Sequence, residues 1–299
     1  YNNTSATLGS NGSLINGIGT AALFGLSSNI NSTGTNVSGM VLSGQHSGVP
    51  GHVVSGSGIT VNEEGTNLGS ITLGDSSAGM YLTGGARGRN EGTITLTNNS
   101  VGIYGEDSNI TNNVGKTIQV GKDGIGIYVK GAGYTAENHG IINGFGNDAK
   151  GIFAADYAIV NNYGTINMTG DNVMGIVGQN GAQIYNHAGS IINVSGNDVT
   201  GIYLAGDDTK LVNKGTINIT GTGMGILYTS TVDKNNVKDS TGTTQGYTSK
   251  QYILPDMPTL VNFGVININV GGNFNYDGIR VIVTIDPSTN TPTTSSSSQ

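Results

Sequence analysis

The decisive stretch runs from Gly151-Ile152-Phe153 through Ile159-Val160 and Asn162-Tyr163-Gly164-Thr165-Ile166-Asn167-Met168 to Gly175-Ile176-Val177. Ile166 and Met168 alternate with Thr165 and Asn167, the two-residue period that puts one pair on each side of a strand. Ile159 stands alone ahead of them, flanked by polar or variable positions, and Gly-Ile-Phe returns as Gly-Ile-Val after 24 residues. Three short strands with turns between them describe one coil of a solenoid. No 3.6-residue apolar period is sustained, and glycine and asparagine at this density break helices.

Outward from that coil the same marks repeat. The glycine marker also appears as Gly79-Met80-Tyr81, Gly102-Ile103-Tyr104, Gly126-Ile127-Tyr128, Gly201-Ile202-Tyr203, Gly225-Ile226-Leu227 and Gly278-Ile279-Arg280. Successive glycines, from Gly79 on, lie 23, 24, 25, 24, 26, 24 and 53 residues apart. The asparagine motif recurs at Asn90, Asn186, Asn213 and Asn262, and the single copy inside the long interval makes that interval one coil plus an insertion at 229–259. Equivalents of Ile159 are Ile110, Ile184, Leu211 and Leu260.

One coil alone has two open edges and half a core. Stacking pairs each strand in parallel with its copy, about 4.8 Å away, and buries the aliphatic columns. The expected fold is therefore all-β, a right-handed parallel β-helix of three-strand coils of about 24 residues, with ten or eleven coils making a rod on the order of 50 Å long. The residue after each marker glycine is always aliphatic or Met and is expected to point inward. The next one tolerates Arg280 and is expected to point out. Asn90, Asn138, Asn162, Asn186, Asn213 and Asn262 form a column suited to an amide ladder at a coil corner. Glycines are expected where the chain needs φ > 0 or close backbone approach. Residues 1–60 read as irregular coils with a loop at 43–57, residues 61–285 as the regular helix, and 286–299 as a disordered Ser/Thr-rich tail or linker.

Composition narrows the function. Of 299 residues 51 are Gly, yet 35% are hydrophobic and recur at fixed offsets, which a disordered chain has no reason to do. The net charge of −7 argues against nucleic-acid binding and against docking on anionic lipid. No run of 18 apolar residues predicts a membrane span, and the start at Tyr1, without a charged and then apolar leader, reads as a fragment. Zero cysteines exclude disulfides and thiolate metal sites; they are compatible with a cytosolic protein and also suit a chain that crosses a periplasm unfolded.

No catalytic constellation is visible, and no enzyme activity, metal or cofactor is expected. His139 and His187 each follow an Asn at one repeat corner, which gives them a surface or structural role, while His46 and His52 fall on the 43–57 loop without nearby carboxylates. Asp75, Asp123, Asp148, Asp171 and Asp198 precede the glycine marker by three or four residues and read as turn residues. A stacked Asp column would also suit Ca²⁺, but the Gly-Gly-x-Gly-x-Asp nonapeptide is missing. β-Helix polysaccharide lyases and hydrolases need clustered Asp, Lys and Arg, whereas the 12 Lys and Arg here look thinly scattered. The Asn-x-Ser/Thr triplets at Asn31, Asn98 and Asn193 follow from the composition.

Two features stand out as candidate binding elements. Tyr81, Tyr104, Tyr128 and Phe153 make an outward aromatic strip, which either stacks for stability or receives a sugar or a partner protein. The insertion carries Asp233, Lys234, Lys238, Tyr247, Lys250 and Tyr252, and insertions in solenoids map to loops on one face, often the binding face.

Gly-Ile-Tyr followed by Asn-x-Gly-Thr-Ile-Asn-aliphatic resembles the passenger repeats of type V autotransporters, most of all those of the very large fusobacterial outer-membrane adhesins. The resemblance covers about residues 60–285. It implies export to the bacterial surface through a C-terminal translocator barrel lying outside this segment, with no membrane insertion by the segment itself. It also implies adhesion to a host-cell receptor or glycan, or to partner bacteria. It places no binding residues on this chain. Two other readings share the architecture: a tailspike-like depolymerase, and a β-helical toxin segment.

Overall fold

The computed structural model describes residues 64–232 apart from Asp207, then 260–269 and 278–285. Ahead of these it describes 29–43 and shorter stretches among 6–24 and 52–61. The chain is a right-handed parallel β-solenoid. One coil is Val101–Glu106, Asn109–Asn112 and Thr117–Val120, and the next begins at Ile125–Lys130. Each strand pairs in parallel with its copy one coil on, as Ile103 with Ile127, Ile110 with Ala136 and Ile118 with Ile142. Three faces result. The first carries the Gly-Ile-Tyr strands, the second the short strands that end in Asn, and the third the Thr-Ile-Asn strands.

The inward columns follow the alternation. Met80, Ile103, Ile127, Ile152, Ile176, Ile202 and Ile226 are all fully buried, and they meet Ile94, Ile118, Ile142, Ile166, Ile192 and Ile217 from the third face in one core. This contact explains the marker glycine. A Cβ on Gly151 would lie 2.5 Å from both the Gly175 carbonyl oxygen and Ile166 Cγ2, and the same pair of clashes recurs at Gly39, Gly79, Gly126 and Gly225. Close approach, rather than backbone conformation, requires glycine in this column.

Buried amides line the corner after the second face. Asn67, Asn90, Asn112, Asn138, Asn162, Asn186 and Asn213 are fully buried, and each Nδ2 donates to Oδ1 of the Asn one coil later at 2.7–2.9 Å, ending at Asn262. The amide of Gly92 donates to Asn90 Oδ1, which fixes that end of the side chain as oxygen. The ladder therefore extends the predicted column by Asn67 and Asn112. On the third face an outward ladder runs the opposite way: Asn167 donates to Asn143, Asn193 to Asn167, Asn218 to Asn193 and Asn267 to Asn218, at 2.7–2.9 Å.

Strand register places the irregular parts. Ile226 pairs with Ile279 and Asn213 with Asn262, so the 53-residue interval is a single coil with an insertion. The strand Thr216–Val232 runs further than the sequence suggested. Thr229–Val232, assigned there to the insertion, pair with Ile282–Ile285. Gly39-Met40-Val41 lies in the coil directly before Gly79, with Met40 paired to Met80. His52–Val53 pairs antiparallel with Thr60–Val61, a departure from the parallel coil. Most of the 43–57 loop, including His46, and the 286–299 tail lie outside the described residues.

Candidate functional site

On the first face the outward rings stand in one column. Tyr81, Tyr104, Tyr128 and Phe153 are paired in register, with ring centroids 4.7, 5.0 and 5.2 Å apart and planes within 3°, 6° and 9°. The rings stand on edge and cover one another's faces. The strip therefore offers edges and hydroxyls to a partner, while the inner ring faces are already occupied. Lys130 Nζ meets Glu106 Oε1 at 2.8 Å beside it, and Tyr104 donates its hydroxyl to Glu106 Oε2 at 3.2 Å. Burial first, and the Glu106 charge second, push the Tyr104 hydroxyl up to about 12. The hydrogen bond from Lys130 holds Glu106 below the usual carboxylate range.

The next residue in this column, Val177, departs from expectation and is 1% exposed. Its register neighbours are Phe153 and Tyr203, and between two longer side chains a short one is covered. The strip thus ends at Phe153.

The predicted Asp column splits into two neighbouring registers. Asp123, Asp148 and Asp198 have φ of +56°, +62° and +54°, the left-handed corner that Ser76, Asn99 and Asn172 occupy in other coils. Asp75 and Asp171 stand one residue earlier. Asp75 Oδ1 accepts from the Thr97 hydroxyl and the Asn98 amide, and Asp171 Oδ1 accepts from the backbone and side-chain amides of Asn197. These contacts are turn chemistry. Among the described residues no three His, Cys, Asp or Glu side chains gather into a metal-holding group.

The second face holds two features that the sequence reading passed over. His139, Tyr163 and His187 stack with centroids 4.6 and 4.0 Å apart, so the shared corner of the two histidines is a ring stack with a tyrosine at its centre. His187 Nε2 lies 3.0 Å from Asn161 Oδ1. Burial, then the nearby Lys214 charge, lower the His187 pKa.

Beside the stack is a groove of about 550 Å³ crossing three coils. Asn109 and Thr111 are short and pair with Arg87 and Arg89 on one side, while Glu137 and His139 rise beside Thr135 on the other, so the middle coil makes a floor between longer side chains. Arg89 Nη2 meets Glu91 Oε1 at 3.0 Å and its Nη1 meets Glu64 Oε1 at 3.5 Å. The Arg87 guanidinium makes no ion pair or hydrogen bond with the described residues. Asn109 Oδ1 accepts the Thr135 amide at 2.9 Å, leaving its Nδ2 to the groove. The signal was legible: Arg87 and Arg89 are two apart on one strand and so share its outer side. The strip and the groove lie on different faces. The insertion residues Asp233, Lys234, Lys238, Tyr247, Lys250 and Tyr252 fall outside the described residues.

No family model, no curated protein and no solved structure matches this chain.

Proposed function

We propose that this chain is a segment of an exported, non-enzymatic adhesin passenger, a rod that holds binding surfaces away from a bacterial outer membrane. The observation that carries the reading is continuous coil-to-coil pairing along the first face. Strands of the first face pair coil to coil from Ser13–Ile18 to Ile279–Ile285, across an insertion that leaves the stack intact. Ten such strands at about 4.8 Å make a stiff body roughly 43 Å long, a geometry suited to reach and display. The partner is a host-cell receptor or glycan, or the surface of another bacterium, and the translocator barrel belongs to sequence outside this segment.

The test is binding of the purified chain to host cells and to partner bacteria, with sugars and amino acids as competitors. Saturable, competable binding supports adhesion, and its complete absence leaves a spacer. Deletion of residues 233–259, which spares the paired Thr229–Val232, asks whether the insertion contributes. Release of reducing ends or unsaturated products from polysaccharides would replace the adhesive reading with an enzymatic one, and permeabilised membranes with a toxic one.

A further inference from the structure

The geometry points to the second-face groove as a binding site for a carboxylate-bearing saccharide. This deepens the adhesive reading and rests on it. The chain has three arginines and a net charge of −7, yet two of the three, Arg87 and Arg89, line this one groove. Arg87 is partly buried and its five donors are unspent among the described residues, the condition in which a guanidinium takes a carboxylate as a bidentate pair. Arg89 is held by Glu64 and Glu91, which fix its plane and cancel its charge, so Arg87 supplies the anion-binding charge.

The rest of the lining suits hydroxyl groups. Asn109 Nδ2 and the hydroxyls of Thr111 and Thr135 have no partners among the described residues, and Glu137 keeps Oε1 clear of its 3.4 Å contact with His139. The one aliphatic side chain in the lining, Ile110, is 1% exposed, so the groove offers no apolar subsite for a peptide anchor. Its length is two strand spacings, about 9.6 Å, room for two sugar rings rather than an extended polymer.

The experiment is calorimetric titration of the purified chain with 3′-sialyllactose and with digalacturonate, which separate a sialic acid from a uronic acid source. Neutral lactose and tetraglutamate serve as controls. At least one acidic saccharide binds and lactose does not. Arg87→Ala weakens binding by about tenfold or more, the scale of a lost charge-assisted pair, and Arg87→Lys by less. Thr111→Trp, on the outward column, fills the floor and abolishes binding. Circular dichroism confirms that each variant stays folded. The proposal is overturned if neither acidic saccharide binds, if binding survives both Arg87→Ala and Thr111→Trp, or if tetraglutamate binds equally well through the same residues. Cell binding is measured in parallel. A chain that binds cells but neither saccharide overturns the groove assignment alone, and one that binds saccharide through the groove but no cell overturns the adhesive reading alone.

Discussion

Asn162 Nδ2 donates to Asn186 Oδ1 across 2.8 Å, and both side chains are wholly buried. Asn162 Oδ1 accepts in turn from Asn138 at 2.8 Å. Asn162→Ala therefore strands a buried donor on Asn138, while Asn186 Oδ1 still accepts the Ser190 hydroxyl at 2.7 Å. A buried orphan costs about 1–3 kcal/mol, so a loss on the order of 2 kcal/mol is expected. Asn262→Ala is milder, because Asn262 is only partly buried and ends the ladder among the described residues. Urea denaturation of the two variants checks the order, and equal midpoints would remove the ladder from the account of stability.

The marker glycines make a sharper contrast. At Gly151 an added Cβ meets a backbone carbonyl and Ile166 Cγ2, both at 2.5 Å, and the carbonyl belongs to the next coil's own ladder. Gly151→Ala must spread two coils and is expected to cost about 2–3 kcal/mol, the range of overpacked cores. At Gly115, with φ of +72° and open space around the site, Gly115→Ala meets only left-handed backbone strain of about 1–2 kcal/mol. Paired melting curves decide. A larger loss at Gly115 would show that conformation, not close approach, selects glycine here.

These two columns also mark what the sequence could say. Period alone places Ile152, Ile166 and Asn162, because a stacked coil puts equivalent residues at one physical position. Asn67 and Asn112 were equally legible: Asn67 keeps the usual spacing to Gly69 and Ile71, and Asn112 repeats in Gly115 and Ile118 the longer spacing of Asn186 to Gly189 and Ile192. Val177 escaped that reading because burial of an outward residue depends on the lengths of its neighbours, Phe153 and Tyr203. The groove at Arg87 depends on which coils carry short outward side chains, a comparison across coils that a motif search does not make.

Tyr104 titrates late, at about 12, because burial and then the Glu106 charge disfavour its phenolate. With the folded value above the unfolded value of roughly 10, the stabilising contribution is full below pH of about 10 and is lost as pH rises toward 12. A spectrophotometric tyrosine titration of the chain should lose its latest increment in Tyr104→Phe. Glu106→Gln should move that increment to lower pH, since it removes the anionic neighbour.

His187 carries the opposite sign. Its pKa is lowered, by burial first and by Lys214 next, so the folded chain binds its proton less readily than the unfolded chain. Stability from this group is complete well above the unfolded value, roughly 6.5, and falls as acid is added through and below it. Lys214→Gln should raise the His187 titration midpoint seen by NMR. No movement would remove Lys214 as a cause and leave the lowering to burial and His139.

The aromatic strip joins stability to recognition, and an inner ring and an end ring separate them. Tyr128 stacks on both Tyr104 and Phe153, whereas Tyr81 stacks on Tyr104 alone and is 36% exposed. Each ring pair is worth about 0.5–1.5 kcal/mol beyond area burial. Tyr128→Ala should therefore cost about twice the stacking energy of Tyr81→Ala in a denaturation series. If the strip also meets a partner, its accessible ring is the end one, because inner rings cover each other's faces. Cell binding should then fall more in Tyr81→Ala than the small stability change explains. Unchanged binding in Tyr81→Ala, together with the larger loss of stability in Tyr128→Ala, would make the strip a spine of the rod and leave recognition to the other faces.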